Sequence, residues 1–207
     1  MKHLNGDLLC AIDVETTGLD PDKNEMWELA VVPLDSQLEP RSDIMPFHAM
    51  LRPGRCYLND ENVLVGDFDP AAIRMNKDPF TLALKDGVEP DEVIDHFDRW
   101  FNELKLAHNK RIVPLGQNYA FDKSFIIKWM GPKHYDHFFH YHYRDTMHVA
   151  LFLNDRAWFN GEPAPLPKVS LKYLCSQLKI TNECAHRAIT DAVTEAQVYK
   201  RLIALAS

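Results

Sequence analysis

The stretch Leu8-Leu9-Cys10-Ala11-Ile12-Asp13-Val14-Glu15-Thr16-Thr17-Gly18-Leu19 decides how the chain folds. Its first five residues are wholly apolar, which predicts a short strand buried on both faces at the centre of a sheet, ended by Gly18 and Pro21. Asp13 and Glu15 follow at the strand's end. Alternate residues of a strand point to one face, so the two acids share a side. An isolated Asp-x-Glu is common by chance, and taken alone it describes a solvent-facing strand end.

Outward from this strand, Met26 to Leu34 and Ile44 to Leu51 mix β-branched, aromatic and long apolar residues between turn formers, which predicts two further strands in a meander. The stretch 55–69 has no clear period and is expected to be a connecting loop, followed by a short helix from about Pro70. Pro90-Asp91-Glu92 opens a stronger helix, with Val93, Ile94, Phe97, Trp100, Phe101 and Leu104 at helical spacing. Arg111 to Leu115 is a strand that leads through Gly116-Gln117-Asn118 into a helix bearing Phe121, Phe125, Ile126 and Trp129. Met147 to Leu153 reads as a helix and 161–167, with Pro163, Pro165 and Pro167, as a loop. Ser170 is a candidate cap for a helix carrying Leu171, Leu174 and Leu178, and a last helix runs from near Thr190 to Ala206. The order predicts one α/β domain over 1–207 with a mixed sheet and loop insertions near 55–69 and 154–168.

The chain has 207 residues, enough to bury a core without disulfides or metal staples. Its formal net charge of −7 is the wrong sign for a protein that coats nucleic acid through a basic surface. It is compatible with an enzyme whose bound metal ions neutralise the one phosphate that reacts. Cys10, Cys56, Cys175 and Cys184 form no close pair, so neither a zinc ribbon nor a disulfide framework is expected, and a reducing cytoplasm fits. The apolar run Leu8 to Ile12 is too short for a signal peptide or a membrane span.

Asp122, in Asn118-Tyr119-Ala120-Phe121-Asp122, falls in the first turn of a helix after a strand, a position the helix dipole favours for an acid. His186 and Asp191 lie five apart, about 140° around a continuous helix, so His186 is expected to precede the last helix and Asp191 to sit on it. Each of these residues has an ordinary structural explanation when taken singly. Together they resemble, in order and local sequence, the DEDD superfamily of 3′→5′ exonucleases in its branch with a catalytic histidine (DEDDh, DnaQ-like). Its first motif appears as Ile12-Asp13-Val14-Glu15-Thr16-Thr17-Gly18-Leu19, its second as Gly116-Gln117-Asn118-Tyr119-Ala120-Phe121-Asp122 and its third as His186-Arg187-Ala188-Ile189-Thr190-Asp191-Ala192. Smaller similarities at Trp27-Glu28-Leu29, 72–77 and Asp145-Thr146 extend the resemblance from Leu8 to Leu205.

The resemblance implies a ribonuclease H-like fold: a five-stranded mixed sheet, three strands antiparallel and then parallel ones, flanked by helices. It also implies a two-metal phosphodiester hydrolase with Asp13, Glu15, Asp122 and Asp191 as ligands of two Mg²⁺ or Mn²⁺. The chemistry agrees. Carboxylates about 5 Å apart repel by about 3 kcal/mol per pair at an effective dielectric near 20, and hard divalent cations offset that charge. His186 is the implied general base, because imidazole titrates near neutrality. Substrate contacts are implied for Thr16 at the terminal 3′-hydroxyl, for Leu19 and Met75 as wedges against the terminal bases, and for Asn118. For Leu19 and Met75, plain core packing is the alternative.

The expected partner is a single-stranded or frayed 3′ end of DNA, with RNA as the alternative. A second copy of the chain or a polymerase or repair protein is also admissible, and a membrane is not expected. His134, His137, His140 and His142 lie among aromatic residues with no cysteine nearby, which favours a half-buried aromatic segment over a zinc site. Glu28 is expected to be a buried, hydrogen-bonded structural acid, and Asp145 a helix cap. The rival classes are a catalytically silent nucleic-acid-binding module and a glycoside hydrolase, which has no use for the histidine or for four acids.

Overall fold

The computed structural model describes residues 6–182 and 186–206. The chain runs β1 (Leu8–Thr16), β2 (Met26–Pro33), β3 (Phe47–Met50), β4 (Cys56–Leu58), β5 (Leu64–Gly66), α1 (Pro70–Met75), α2 (Lys77–Asp86), α3 (Pro90–Glu103), β6 (Ile112–Gly116), α4 (Ala120–Phe138), β7 (Arg144–Asp145), α5 (Thr146–Phe159), α6 (Leu171–Leu178) and α7 (Ala188–Leu205). The main sheet has the order β3-β2-β1-β6-β7. β1–β2 and β2–β3 are antiparallel, β1–β6 and β6–β7 parallel, which is the mixed sheet expected.

The alternation along β1 sorts its side chains between two helical layers. Cys10, Ile12 and Val14 point into a core with Phe97 and Trp100 of α3 and Phe125, Ile126 and Met130 of α4. Leu9 and Ala11 point the other way, against Ala188, Ala192 and Ala196 of α7. Three alanines on one face let α7 lie close to the sheet, since no side chain longer than a methyl holds it off. Asp13 and Glu15 continue this second row past its last apolar residue, so the fold aims both acids at the start of α7.

Several local expectations are corrected. The stretch 55–69 is no plain loop: β4 and β5 pair antiparallel, and Asn59 closes their turn by accepting from Glu61 N (3.1 Å) and Val63 N (2.8 Å). Strands of three residues with mostly exposed side chains leave no alternation to read. The helix at Pro70 is followed at once by a second, α2, on the far side of Asn76. β3 begins only at Phe47, after Pro46, which has no N–H for a sheet ladder. α5 continues beyond Leu153 to Phe159, ahead of Gly161 at φ +74°, because the polar run Asn154-Asp155-Arg156 ends the apolar period without ending the helix. Ser170 occupies the N-cap position of α6, but its side chain makes no capping hydrogen bond. α4 is bent at Gly131 (φ +78°), which only glycine adopts freely, and Pro132 restarts it. Cys184 lies outside the described residues. Among the described residues no helix is long and apolar enough to cross a membrane.

Candidate active site

The four acids arrive from three elements. β1 carries Asp13 and Glu15, α4 carries Asp122 in its first turn, and α7 carries Asp191 in its first turn. Asp122 is buried and its Oδ1 accepts from the backbone N–H of Val14 at 3.1 Å, which ties α4 to the strand between Asp13 and Glu15. Both oxygens of Asp191 are held: Oδ1 accepts from Asn182 Nδ2 at 2.6 Å and Oδ2 from the backbone N–H of His186 at 2.8 Å. Glu15 Oε2 accepts from Asn76 Nδ2 at 2.7 Å. Ligand atoms of Glu15, Asp191 and His186 lie within 4.8 Å of one another.

The electrostatics are those of a site short of positive charge. Burial pushes the Asp13 carboxyl well above the usual carboxylate range, and Glu195, Asp122, Glu15 and Asp191 push it further. Burial, then the nearby Asp191 and Glu28, raise Glu15 to about 8 against the opposing hydrogen bond from Asn76. Burial likewise raises Asp122 to about 8, although backbone N–H donors oppose it. The charged groups that act most on Asp13 are all acids. A cluster of buried and half-buried carboxylates with no arginine or lysine among its chief neighbours is the donor set that a hard divalent cation satisfies. The residues therefore fit the metal the motifs imply.

His186 precedes α7 as expected. It stands exposed at φ +70°, a left-handed backbone that non-glycine residues rarely adopt, and its N–H is held by Asp191. Leu19 and Met75 are 75% and 60% exposed, which overturns the core-packing alternative for both. Thr16 lies at the end of β1, its hydroxyl donating to Gly18 O at 2.7 Å. Asn118 sits at φ +58° in the turn before α4, and its backbone N–H, with that of Tyr119, donates to Asp145 at 3.1 and 2.9 Å. Asp145 also accepts from Met147 N, so it is the helix cap expected and a tie between two site loops besides. Glu28 is the structural acid expected, fully buried between His48 and Arg187.

Two site residues escaped the sequence reading. Asn76, buried between α1 and α2, holds Glu15; its signal was only its place in the 72–77 similarity. Glu195, 1% exposed, acts on Asp13; its Oε1 accepts from Gln117 N at 3.1 Å and its Oε2 has no hydrogen-bond partner among the described residues. Its spacing of four from Asp191 on one helix face was the available clue. The His134–His142 segment packs aromatic rings, with Phe138 and Phe139 in the core, and contributes no metal-ligand cluster among the described residues.

A family model described as exonuclease, of the RNase T type, matches residues 10–199. No individual curated protein sequence matches the chain. Among solved structures, the fold is similar to E. coli exonuclease I with single-stranded DNA, at TM-score 0.69 and 18% identity over 96% of this chain. The chain spans 41% of that protein's length. It is also similar to cell-death related nuclease 4 (TM-score 0.68, 18% identity, 96% of this chain and 64% of that one). A 3′-exonuclease that recognises a histone mRNA stem-loop superposes at TM-score 0.64 and 14% identity, over 95% of this chain and 63% of that one. At these identities the likeness establishes the fold alone.

Proposed function

Because the chain belongs to the exonuclease family, whose model spans residues 10–199, we propose that it is a metal-dependent 3′→5′ exonuclease releasing nucleoside 5′-monophosphates from single-stranded or frayed 3′ ends of DNA. The observation that carries this reading is the convergence of four acids, two buried and two half-buried, on one end of β1 with only acids among the strongest influences on Asp13. Asp13, Glu15, Asp122 and Asp191 would hold two Mg²⁺ or Mn²⁺, which supply the positive charge that steadies the attacking and leaving oxygens of an in-line displacement.

The chain's own residues do the rest. His186, exposed beside Asp191 and Glu15, takes the proton of the attacking water. The water oxygen bonds to phosphorus, the bond from phosphorus to the upstream 3′-oxygen breaks, and that oxygen takes up a proton to restore a 3′-hydroxyl. Asn76 and the N–H of Val14 hold Glu15 and Asp122 in orientation, the kind of supporting hydrogen bond on which metal sites depend. Leu19 and Met75, both apolar and exposed, part the terminal base from its neighbour, and Thr16, at the end of β1, faces the terminal sugar. Trimming of RNA 3′ ends is the second reading, supported by the likeness to an exonuclease solved on an RNA stem-loop.

The test uses 5′-labelled DNA and RNA single strands of one sequence, with Mg²⁺, Mn²⁺ or chelator. A ladder shortening from the 3′ end, faster on DNA and abolished by chelation, is expected. Cuts within a circular single strand would overturn the exonucleolytic reading, and a faster RNA ladder would replace DNA by RNA as the substrate.

A further inference from the structure

A cavity of about 580 Å³ opens between the β4–β5 hairpin and the α1–α2 pair. Its apolar wall includes Leu64, Phe68 and Phe80, and its rim carries Arg74, Lys77 and Lys85 with no acid among the lining residues. None of these three cations takes part in an ion pair among the described residues, whereas Lys23, Arg41, Arg52, Lys128, Arg187 and Lys200 all do. Three cations with no ion-pair partner among the described residues therefore line one apolar recess, although Asp67, Asp69, Asp78 and Asp86 adjoin it along the chain.

The recess is linked to the acid cluster through the α1–α2 turn. Arg74 and Lys77 flank Met75-Asn76, and Asn76 touches Glu15, so the rim begins one residue, about 3.8 Å of chain, from a residue in contact with the site. The opposite wall is tied to the same motif: Asp69 N donates to Thr17 O at 2.6 Å and Thr17 Oγ1 to Asp67 O at 3.3 Å. Lys77 and Lys85 stand on one helix eight residues apart, about 12 Å along its axis. That is too far for one phosphate and suits two along a strand.

We propose that this cavity is a subsite for the substrate strand upstream of its 3′ end, with a base against the half-buried Phe68, Leu64 and Leu84 and successive phosphates on Arg74, Lys77 and Lys85. The volume lies in the range of ligand pockets, and aromatic walls beside cations are how single strands are held without sequence preference. The inference rests on the exonuclease reading for the direction of the strand. Its consequence is a preference for strands long enough to reach the cavity, set by binding and not by the chemical step.

The test compares wild type, a triple variant Arg74→Ala/Lys77→Ala/Lys85→Ala, and Thr81→Trp, which fills the cavity without removing a charge. Circular dichroism checks that each is folded. Binding is read by fluorescence anisotropy of a 5′-fluorescein thymidine dodecamer whose two 3′-terminal linkages are slowly hydrolysed phosphorothioates, and turnover on unmodified dimer and dodecamer. Kd for the dodecamer should rise roughly tenfold or more in both variants, while the rate on the dimer stays at the wild-type value. The salt dependence of dodecamer binding should become shallower by about 2 in log–log slope for the triple variant, at about 0.7 per phosphate contact on a single strand. Unchanged dodecamer affinity, equal losses on dimer and dodecamer, or a loss confined to the charge variant would each overturn the subsite. Failure of the underlying activity looks different: the wild type then shortens no strand at all, while anisotropy still decides whether the cavity binds one.

Discussion

Glu15 and Glu28 face each other across the β1–β2 pairing, yet the protein treats them in opposite ways. Glu28 is wholly buried, but Arg187 donates to it from Nε (3.1 and 3.2 Å) and Nη2 (3.0 Å), and His48 Nε2 lies 2.7 Å away. Burial acts to raise its carboxyl, and the hydrogen bonds from His48 and Arg187 overcome that and bring it below the ordinary range. Glu15 has only the amide of Asn76, and burial with its acidic neighbours raises it to about 8. A structural acid thus carries its counter-charge in the fold. The acids of the candidate site have none among the described residues, and that deficit is one a divalent cation would fit.

The sharpest way to break this contrast is Asp122→Asn. If the acids exist to hold cations, turnover should fall by at least about 10⁴-fold, since metal stabilisation is worth several kcal/mol and each 1.36 kcal/mol is tenfold. The fold should survive, because an amide oxygen can still accept from Val14 N. Full activity of this variant in metal-replete buffer would remove Asp122 from the site.

Next in size, His186→Ala should lower single-turnover rates roughly 10²–10⁴-fold while leaving metal affinity near the wild-type value. Isothermal titration beside quenched-flow kinetics checks the separation. A defect mainly in metal affinity would make His186 a ligand and not a base.

On the structural side of the comparison, Arg187→Ala strips Glu28 of its main partner. A stability loss of about 2 kcal/mol is expected, below the usual cost for a broken buried pair because Arg187 is itself 35% exposed. For a chain of this length that is a fall in Tm of about 4–8 °C, read by thermal denaturation. Arg187 directly follows His186, so the variant should also slow turnover. An unchanged Tm would mean that Glu28 needs no counter-charge from the protein.

The contrast also sets opposite signs of pH dependence. Glu15 and Asp122 titrate near 8 in the folded chain and near 4 when unfolded, so between these values the native state holds more protons. Their stabilisation is complete below about 4 and is lost as pH rises through 8. Glu28, with its carboxyl lowered, has the opposite sign: its contribution is present above the ordinary carboxylate range and lost in stronger acid. Chelated protein should therefore lose Tm between pH 5 and 8.5, and millimolar Mg²⁺ should abolish that loss. A flat profile without metal would show that the acids are not crowded.

By itself the sequence determined the central strand, the α/β class and the family and pointed to five candidate site residues, because each rests on local order: an apolar run, a helix start, a spacing of two or five. It also placed Glu28 correctly as a buried structural acid, since an acid inside a strand has few other roles. What only the tertiary structure decided depends on residues far apart in the chain. Asn76 reaches Glu15 across 61 positions and Arg187 reaches Glu28 across 159. Glu195 is buried because α7 lies on the sheet, and the cationic cavity exists because a short hairpin, read as a loop, folds over two helices read as one. Local pattern reports which face a side chain takes, whereas its electrostatic partner is set by the packing of whole elements, and it is the partner that separates a structural acid from a functional one.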